Sequence, residues 1–350
     1  MDSAVVRVAC ALIIAFLVIG AVYFADVVFE PVAFALFFIA LIWPLQQALQ
    51  KRMPRGAALI VTIVTTTAIV TKLISMIAWG GGQVAQWGAR NFDRFQSLYL
   101  SASKWLEGND IFAGPIITER FNVAWLLTVF QQVAIRINSL IGFSLLVFIF
   151  MAMGLLEANE FGKNLKSVGD GTNGQRLATA AVKIAKKFRQ YMLVRTVASI
   201  ATGLIVWVFA LLVGLELAAA WGVITFALNY IPFIGPLIAT ALPSLFALVQ
   251  TGSWEMAVFV LATLTIVQFL IGSYFEPLFT GKALSISSFV VVFAVFFWSF
   301  IWGLPGTFIG VPIAIAFLTI CEQFPGSRWI AVLLSGRAPD ETPGAAKANS

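Results

Sequence analysis

An all-α polytopic membrane protein is the fold class this sequence predicts, and three observations carry it. Of 350 residues, 60% are hydrophobic and 11% charged, where an ordinary soluble domain is roughly 45–50% apolar and about 25% charged. Apolar runs of about the length needed to cross 30 Å of hydrocarbon recur along the chain, parted by short charged stretches. Two of the later runs are too long for one simple span and are interrupted by proline and glycine.

Eight apolar segments follow in order. Val5–Phe24 reads as a retained helix rather than a secretory signal, because it nearly spans, lacks a small-residue cleavage site and leads straight into further spans. Val27–Leu49 and Gly56–Trp79 complete an amino-terminal region over 1–79. Residues 80–139 are too long for an ordinary loop and are not low in complexity. Trp87, Phe95, Leu98, Ala102 and Trp105 recur there at roughly helical spacing, which predicts a small helical extracytoplasmic insert. Leu140–Leu156 is the fourth segment, and 157–193 is a cytoplasmic basic linker. Within it Leu177, Ala181, Ile184, Phe188 and Met192 form an apolar stripe beside Lys183, Lys186, Lys187 and Arg189, the pattern of an interfacial amphipathic helix. Val194–Gly214, Ala218–Val249, Glu255–Phe275 and Ile286–Cys321 then form a core region over 194–324, before a tail at 325–350.

Lysine and arginine gather on the cytoplasmic side of membrane proteins. Arg7, the Lys51–Arg52–Arg55 cluster, the basic linker and Arg328 therefore place both termini in the cytoplasm and the insert outside. The net charge of +6 is explained by this topology and by contact with anionic lipid, so no nucleic-acid partner is expected.

The broken runs read Asn229-Tyr230-Ile231-Pro232-Phe233-Ile234-Gly235-Pro236 and Ile301-Trp302-Gly303-Leu304-Pro305-Gly306. Irregular backbone survives at membrane depth only where protein or a wet cavity receives its polar groups. A matching pair of such breaks points to the binding centre of a secondary transporter. Either both runs cross the membrane, or both are re-entrant hairpins entering from opposite faces; Lys282 in the intervening loop favours hairpins.

Chemistry-bearing residues are few. With no histidine there is no imidazole base or ligand, and an enzyme is not expected. The glycine-rich stretch Val168–Gly174 lacks the lysine and hydroxyl of a phosphate loop, so transport is expected to be driven by gradients without a cofactor. Cys10 and Cys321 are expected as two unbridged core residues, and no metal site is expected. Glu276, at the end of the seventh segment before Pro277, is the carboxylate placed to hold a proton or cation; its bland alternative is a helix end facing water. Asn229 and Gln268 are neutral intramembrane groups suited either to ligand contact or to helix packing. The candidate substrate-binding set is Asn229, Tyr230, Pro232, Gly235, Pro236, Gln268, Glu276, Pro277, Gly303, Pro305 and Gly306.

The string NYIPFIGPLIATALPSLFALVQTG, followed by EPLFTGKALSISSFVVVFAVFFWSFIWGLPGTFIGVPIAIAFL, resembles the carboxy-terminal half of the AI-2E (autoinducer-2 exporter, PerM-like) family of bacterial membrane proteins. KKFRQYMLVRTVASIATGLIV and PVAFALFFIALIWPLQQALQKRMPRGAALIV extend the resemblance over most of the chain outside 80–139. The resemblance implies eight apolar segments, a large outer insert after the third and residence in the bacterial inner membrane. It also implies export or permeation of a small polar solute such as autoinducer-2; some members are described as sodium–proton antiporters. Many members carry histidine and proline just before the last broken segment, where this chain has Ser285, Ile286, Ser287 and Ser288. A proton-coupling role therefore does not carry over. Sodium or lithium exchange for protons, and a non-transporting membrane scaffold packed through Gly235, Gly303, Gly306 and Gly310, stand as alternatives. A small polar solute or cation, the bilayer and further copies of the chain in a homo-oligomer are the expected partners.

Overall fold

A computed structural model describes residues 3–108, 142–158, 160, 172–276 and 286–335. Helices α1 (Ser3–Phe24), α2 (Asp26–Gln50), α3 (Arg55–Arg90), α4 (Phe92–Gly108) and α5 (Gly142–Ala158) come first. Helices α6 (Thr172–Leu212), α7 (Ala218–Leu228), α8 (Ile234–Thr251), α9 (Trp254–Leu270), α10 (Ser288–Gln323) and α11 (Arg328–Leu334) follow. No strand occurs among the described residues. By length and composition six helices could span: α2, α3, α6, α8, α9 with its continuation to Phe275, and α10, whose 36 residues are counted across a reversal at Gly303. The protein is an all-α polytopic membrane protein. In hydrocarbon no water receives backbone polar groups, and a helix satisfies its own. Large side chains such as Phe16, Phe24, Leu212 and Phe300 consequently stand on the outside.

Two helices exceed their expected limits. Helix α3 contains 36 residues, about 54 Å, and continues past Trp79 through Gly80, Gly81 and Gly82 to Arg90. Glycine weakens a helix, yet this one continues; even a Cβ on Gly80 would meet the Ala220 carbonyl and Val223 only at 3.4 Å, ordinary contact distance. Helix α6 contains 41 residues, so the basic stretch before Val194 is the first half of a long helix and not a separate linker. No proline or capping signal interrupts it. The remainder of the expected insert, 109–141, lies outside the described residues, as does the glycine-rich stretch around Asp170.

The chain divides into two compact units. The first comprises 1–65, 143–192 and 282–350, and the second 66–142 and 193–281, so α3 and α6 contribute to both. In the first unit Met151 and Leu155 of α5 pack on Ala35, with Ile39, Trp43 and Leu59 around them. Phe188 of α6 meets Phe37 with ring centroids 5.3 Å apart. The cations of α6 are held by protein here. Lys187 pairs with Glu322 at 3.1 Å, and Lys183 donates to Gln323 at 3.2 Å. Arg189 donates to the Ala40 carbonyl at 2.8 Å; Pro44 removes the helical N–H that would otherwise bond that oxygen. Both cysteines are unbridged, but only Cys321 is buried; Cys10 is exposed, a correction to the expected core position.

The second unit is built around Trp87, Trp221 and Phe246. Phe246 lies 4.2 Å from Trp87 and 5.0 Å from Trp221, centroid to centroid. Trp87 Nε1 donates to Glu216, and the Glu216 N–H donates to Gln250 Oε1 at 2.9 Å.

Candidate functional site

The first broken run is a helical hairpin. Glu216 and Gln250 meet although they are 34 positions apart, and Trp221 touches Phe246, residues that an unbroken helix would separate by about 37 Å. The reversal is made by Asn229–Phe233. The Ile231 N–H donates to the Leu228 carbonyl at 2.9 Å, and the Ile234 N–H donates to the Pro232 carbonyl at 2.7 Å. The second bond closes a γ-turn on Phe233, whose φ of 63° and ψ of −54° define its rarer, strained form. Pro236 falls in the first turn of α8, where its missing N–H costs nothing. Gly235 is packed so closely that a Cβ would run into the Leu228 carbonyl.

Helix α7 also presses on the second half of α6. A Cβ on Gly203 would lie 2.8 Å from the Gly222 carbonyl oxygen, and one on Gly222 2.8 Å from that of Gly203. Small residues permit this approach, as at many intramembrane helix contacts. It brings the hairpin tip onto a polar face of α6. Asn229 Nδ2 donates to Ser199 Oγ at 3.4 Å, and Tyr230 OH donates to Thr196 Oγ1 at 3.0 Å. One residue earlier on α6, Arg195 Nη1 donates to Glu276 Oε1 at 2.8 Å. Ser199 and Asn229 are fully buried, while the Arg195 and Glu276 side chains retain 14% and 20% exposure. Glu276 follows a π-helical turn, Ile271–Phe275, at the end of α9. Such turns are rare and often mark functional sites.

The second broken run, in the first unit, is a hairpin as well. Gly303 takes φ 63° and ψ −138°, backbone that a side chain resists. Beyond it the chain returns: a Cβ on Gly310 would lie 2.7 Å from the Ala294 carbonyl oxygen, and one on Gly306 would run into that of Trp298. A continuous helix would hold Ala294 and Gly310 about 24 Å apart. Pro305 begins the returning arm, Thr307 Oγ1 donates to the Gly303 carbonyl at 2.9 Å, and Trp302 Nε1 donates to the Val22 carbonyl at 3.1 Å.

Folded-back helices with proline and glycine at their tips, set in an apolar chain, are a transporter architecture. The family model described as AI-2E family transporter matches residues 12–326. The chain belongs to the AI-2E transporter family. It is 28% identical over 330 residues to the AI-2 transport protein TqsA of Escherichia coli (strain K12), covering 91% of this chain and 92% of that protein. It is 32% identical to YhhT of the same organism over 45% of this chain and 46% of YhhT. A Borreliella burgdorferi protein is 28% identical over 57% of this chain and 56% of its own length.

In this AI-2E family member the candidate residues fall into two groups. Asn229, Tyr230, Pro232, Gly235, Pro236, Gln268 and Glu276 belong to the second unit, whereas Gly303, Pro305 and Gly306 belong to the first. Pro277 lies outside the described residues. Asn229, Tyr230 and Glu276 engage neighbouring residues on α6; the proline and glycine positions shape the two tips. Arg195, Thr196 and Ser199 were not expected at the centre. Their spacing, with Thr202 following, is the legible signal: i, i+1, i+4 and i+7 lie on one side of a helix.

Proposed function

We propose that this AI-2E family transporter moves a small polar solute, autoinducer-2 or a molecule like it, across the membrane under gradient drive, in the direction of export. The observation that carries the reading is the buried polar centre of the second unit. There the hairpin tip sets Asn229 and Tyr230 on Ser199 and Thr196, beside the Arg195–Glu276 pair. Polar side chains are costly inside a membrane and concentrate where solute passes. Similarity to the AI-2 transport protein TqsA along nearly the whole chain supports autoinducer-2 as the first solute to test. Both hairpins are read as re-entrant, entering from opposite faces, with the termini and the loop at 277–285 in the cytoplasm of a bacterial plasma membrane. Half-helix ends and free carbonyls at the tips add polar contacts for the solute. The exposed apolar side chains of α1 offer a surface for a homo-oligomer.

Cation–proton exchange is the weaker reading. The Glu276 carboxylate already has Arg195 as its counter-ion, so a sodium ion would have to displace a guanidinium to reach it. The purified full chain in proteoliposomes tests the choice. Release of preloaded autoinducer-2 faster than from protein-free vesicles is expected. Collapse of an imposed pH gradient on adding sodium, with no movement of autoinducer-2, overturns the reading in favour of the antiporter.

A further inference from the structure

Among the described residues, three buried donors of the second unit have no hydrogen-bond partner: Trp221 Nε1, Thr225 Oγ1 and Gln268 Nε2. Trp221 and Thr225 are almost wholly enclosed, at 1% and 0% exposure. They sit one turn apart on the same side of α7, and Asn229 follows one turn later. Gln268 is on α9. Helices α7 and α9 both run antiparallel to α8, the one through the hairpin and the other through the short Gly252–Ser253 link, so α7 and α9 point the same way. Trp221 shares a buried cluster with Leu264 of α9. One turn onward from Trp221 is Thr225, and one turn onward from Leu264 is Gln268, so on both helices the unpartnered group lies on the hairpin-tip side of that cluster.

A buried donor without an acceptor is expensive, and native structures leave few. An isosteric apolar residue would remove the cost. We propose that Trp221, Thr225 and Gln268 form a subsite for an uncharged, oxygen-rich solute, whose hydroxyl or carbonyl oxygens accept from these donors. The chemistry of the set selects that class. An indole N–H and an amide NH2 only donate, and a hydroxyl does either. None of the three is charged, so an ion entering here would lose its hydration without a counter-charge. The subsite rests on the transport reading above and extends its polar centre from Asn229 along α7.

The test uses the full-length protein in proteoliposomes, with autoinducer-2 and glycerol as neutral probes and sodium as the charged one, alongside thermal unfolding in detergent. Thr225→Val keeps the shape and removes the hydroxyl. Its expected signature is a melting temperature equal to or above the wild type, together with a loss of roughly tenfold in neutral-solute flux, the worth of about one hydrogen bond. Thr225→Ser restores the flux, and Gln268→Met shows the same signature as Thr225→Val. Unchanged neutral flux in both apolar variants overturns the subsite while transport stands; the donors then serve resident water. A clear fall in melting temperature for both also overturns it, because the donors then hold structural partners. If the wild type moves neither neutral probe, the transport reading and the subsite fall together.

Discussion

Glu276 and Arg195 face each other at 2.8 Å with most of both side chains enclosed. Removing one partner leaves the other charge short of its counter-ion, which in a fully buried pair costs about 3–5 kcal/mol and less here because both retain some contact with solvent. Glu276→Gln and Arg195→Gln should therefore each destabilise by about 2 kcal/mol, and the double variant by less than their sum. A thermal-unfolding cycle measures this. Strict additivity would show that the pair contributes nothing. Glycine contacts make a sharper prediction, because the clashing atoms are backbone and cannot swing aside. Gly235→Ala and Gly306→Ala should each cost about 1–3 kcal/mol or more, whereas Gly81→Ala, which meets nothing within 4 Å, should be neutral or slightly stabilising, because alanine favours a helix.

Helix α2 illustrates a debt settled between elements. Pro44 frees the Ala40 carbonyl, and Arg189 of α6 supplies the missing donor at 2.8 Å. Arg189→Leu leaves that oxygen unsatisfied, a loss of about 1–3 kcal/mol. In a Pro44→Ala background the helix regains its own N–H, so the same substitution should lose markedly less. Equal losses in the two backgrounds, measured by chemical or thermal unfolding, would refute this account. By contrast the exposed Lys187–Glu322 pair is worth about 0–1 kcal/mol, and Glu322→Gln should be silent in the same assay. Element identity was readable from composition: each expected apolar segment has its helix among the described residues. Element limits were less readable. Helix α3 runs on past Trp79 beside Ala220 and Val223, and α6 begins well before Val194 with Lys187 and Arg189 bonded to Glu322 and Ala40, partners that are distant in sequence.

For the molecule as a whole, two hairpins in place of two continuous spans change which loops share a side. Single cysteines at Lys51, Lys282 and Arg328, in a chain with Cys10→Ser and Cys321→Ala, should all react with a membrane-impermeant thiol reagent from the cytoplasmic side. Labelling of the Lys282 position from the outside alone would mean that both broken runs cross the membrane.

Sequence by itself determined the class of protein, because hydropathy acts residue by residue and a long apolar run has few options other than a membrane helix. It also located both breaks, since proline and glycine disturb a helix wherever they stand. Only the tertiary structure decided that each break is a reversal. Direction of the chain after Phe233 or Gly303 depends on backbone contacts, Gly235 on Leu228 and Gly310 on Ala294, that no local pattern encodes. It likewise decided the partners of Asn229, Tyr230 and Glu276. A polar side chain announces its need for a hydrogen bond, but which residue of α6 answers is fixed by the packing distance at Gly203 and Gly222.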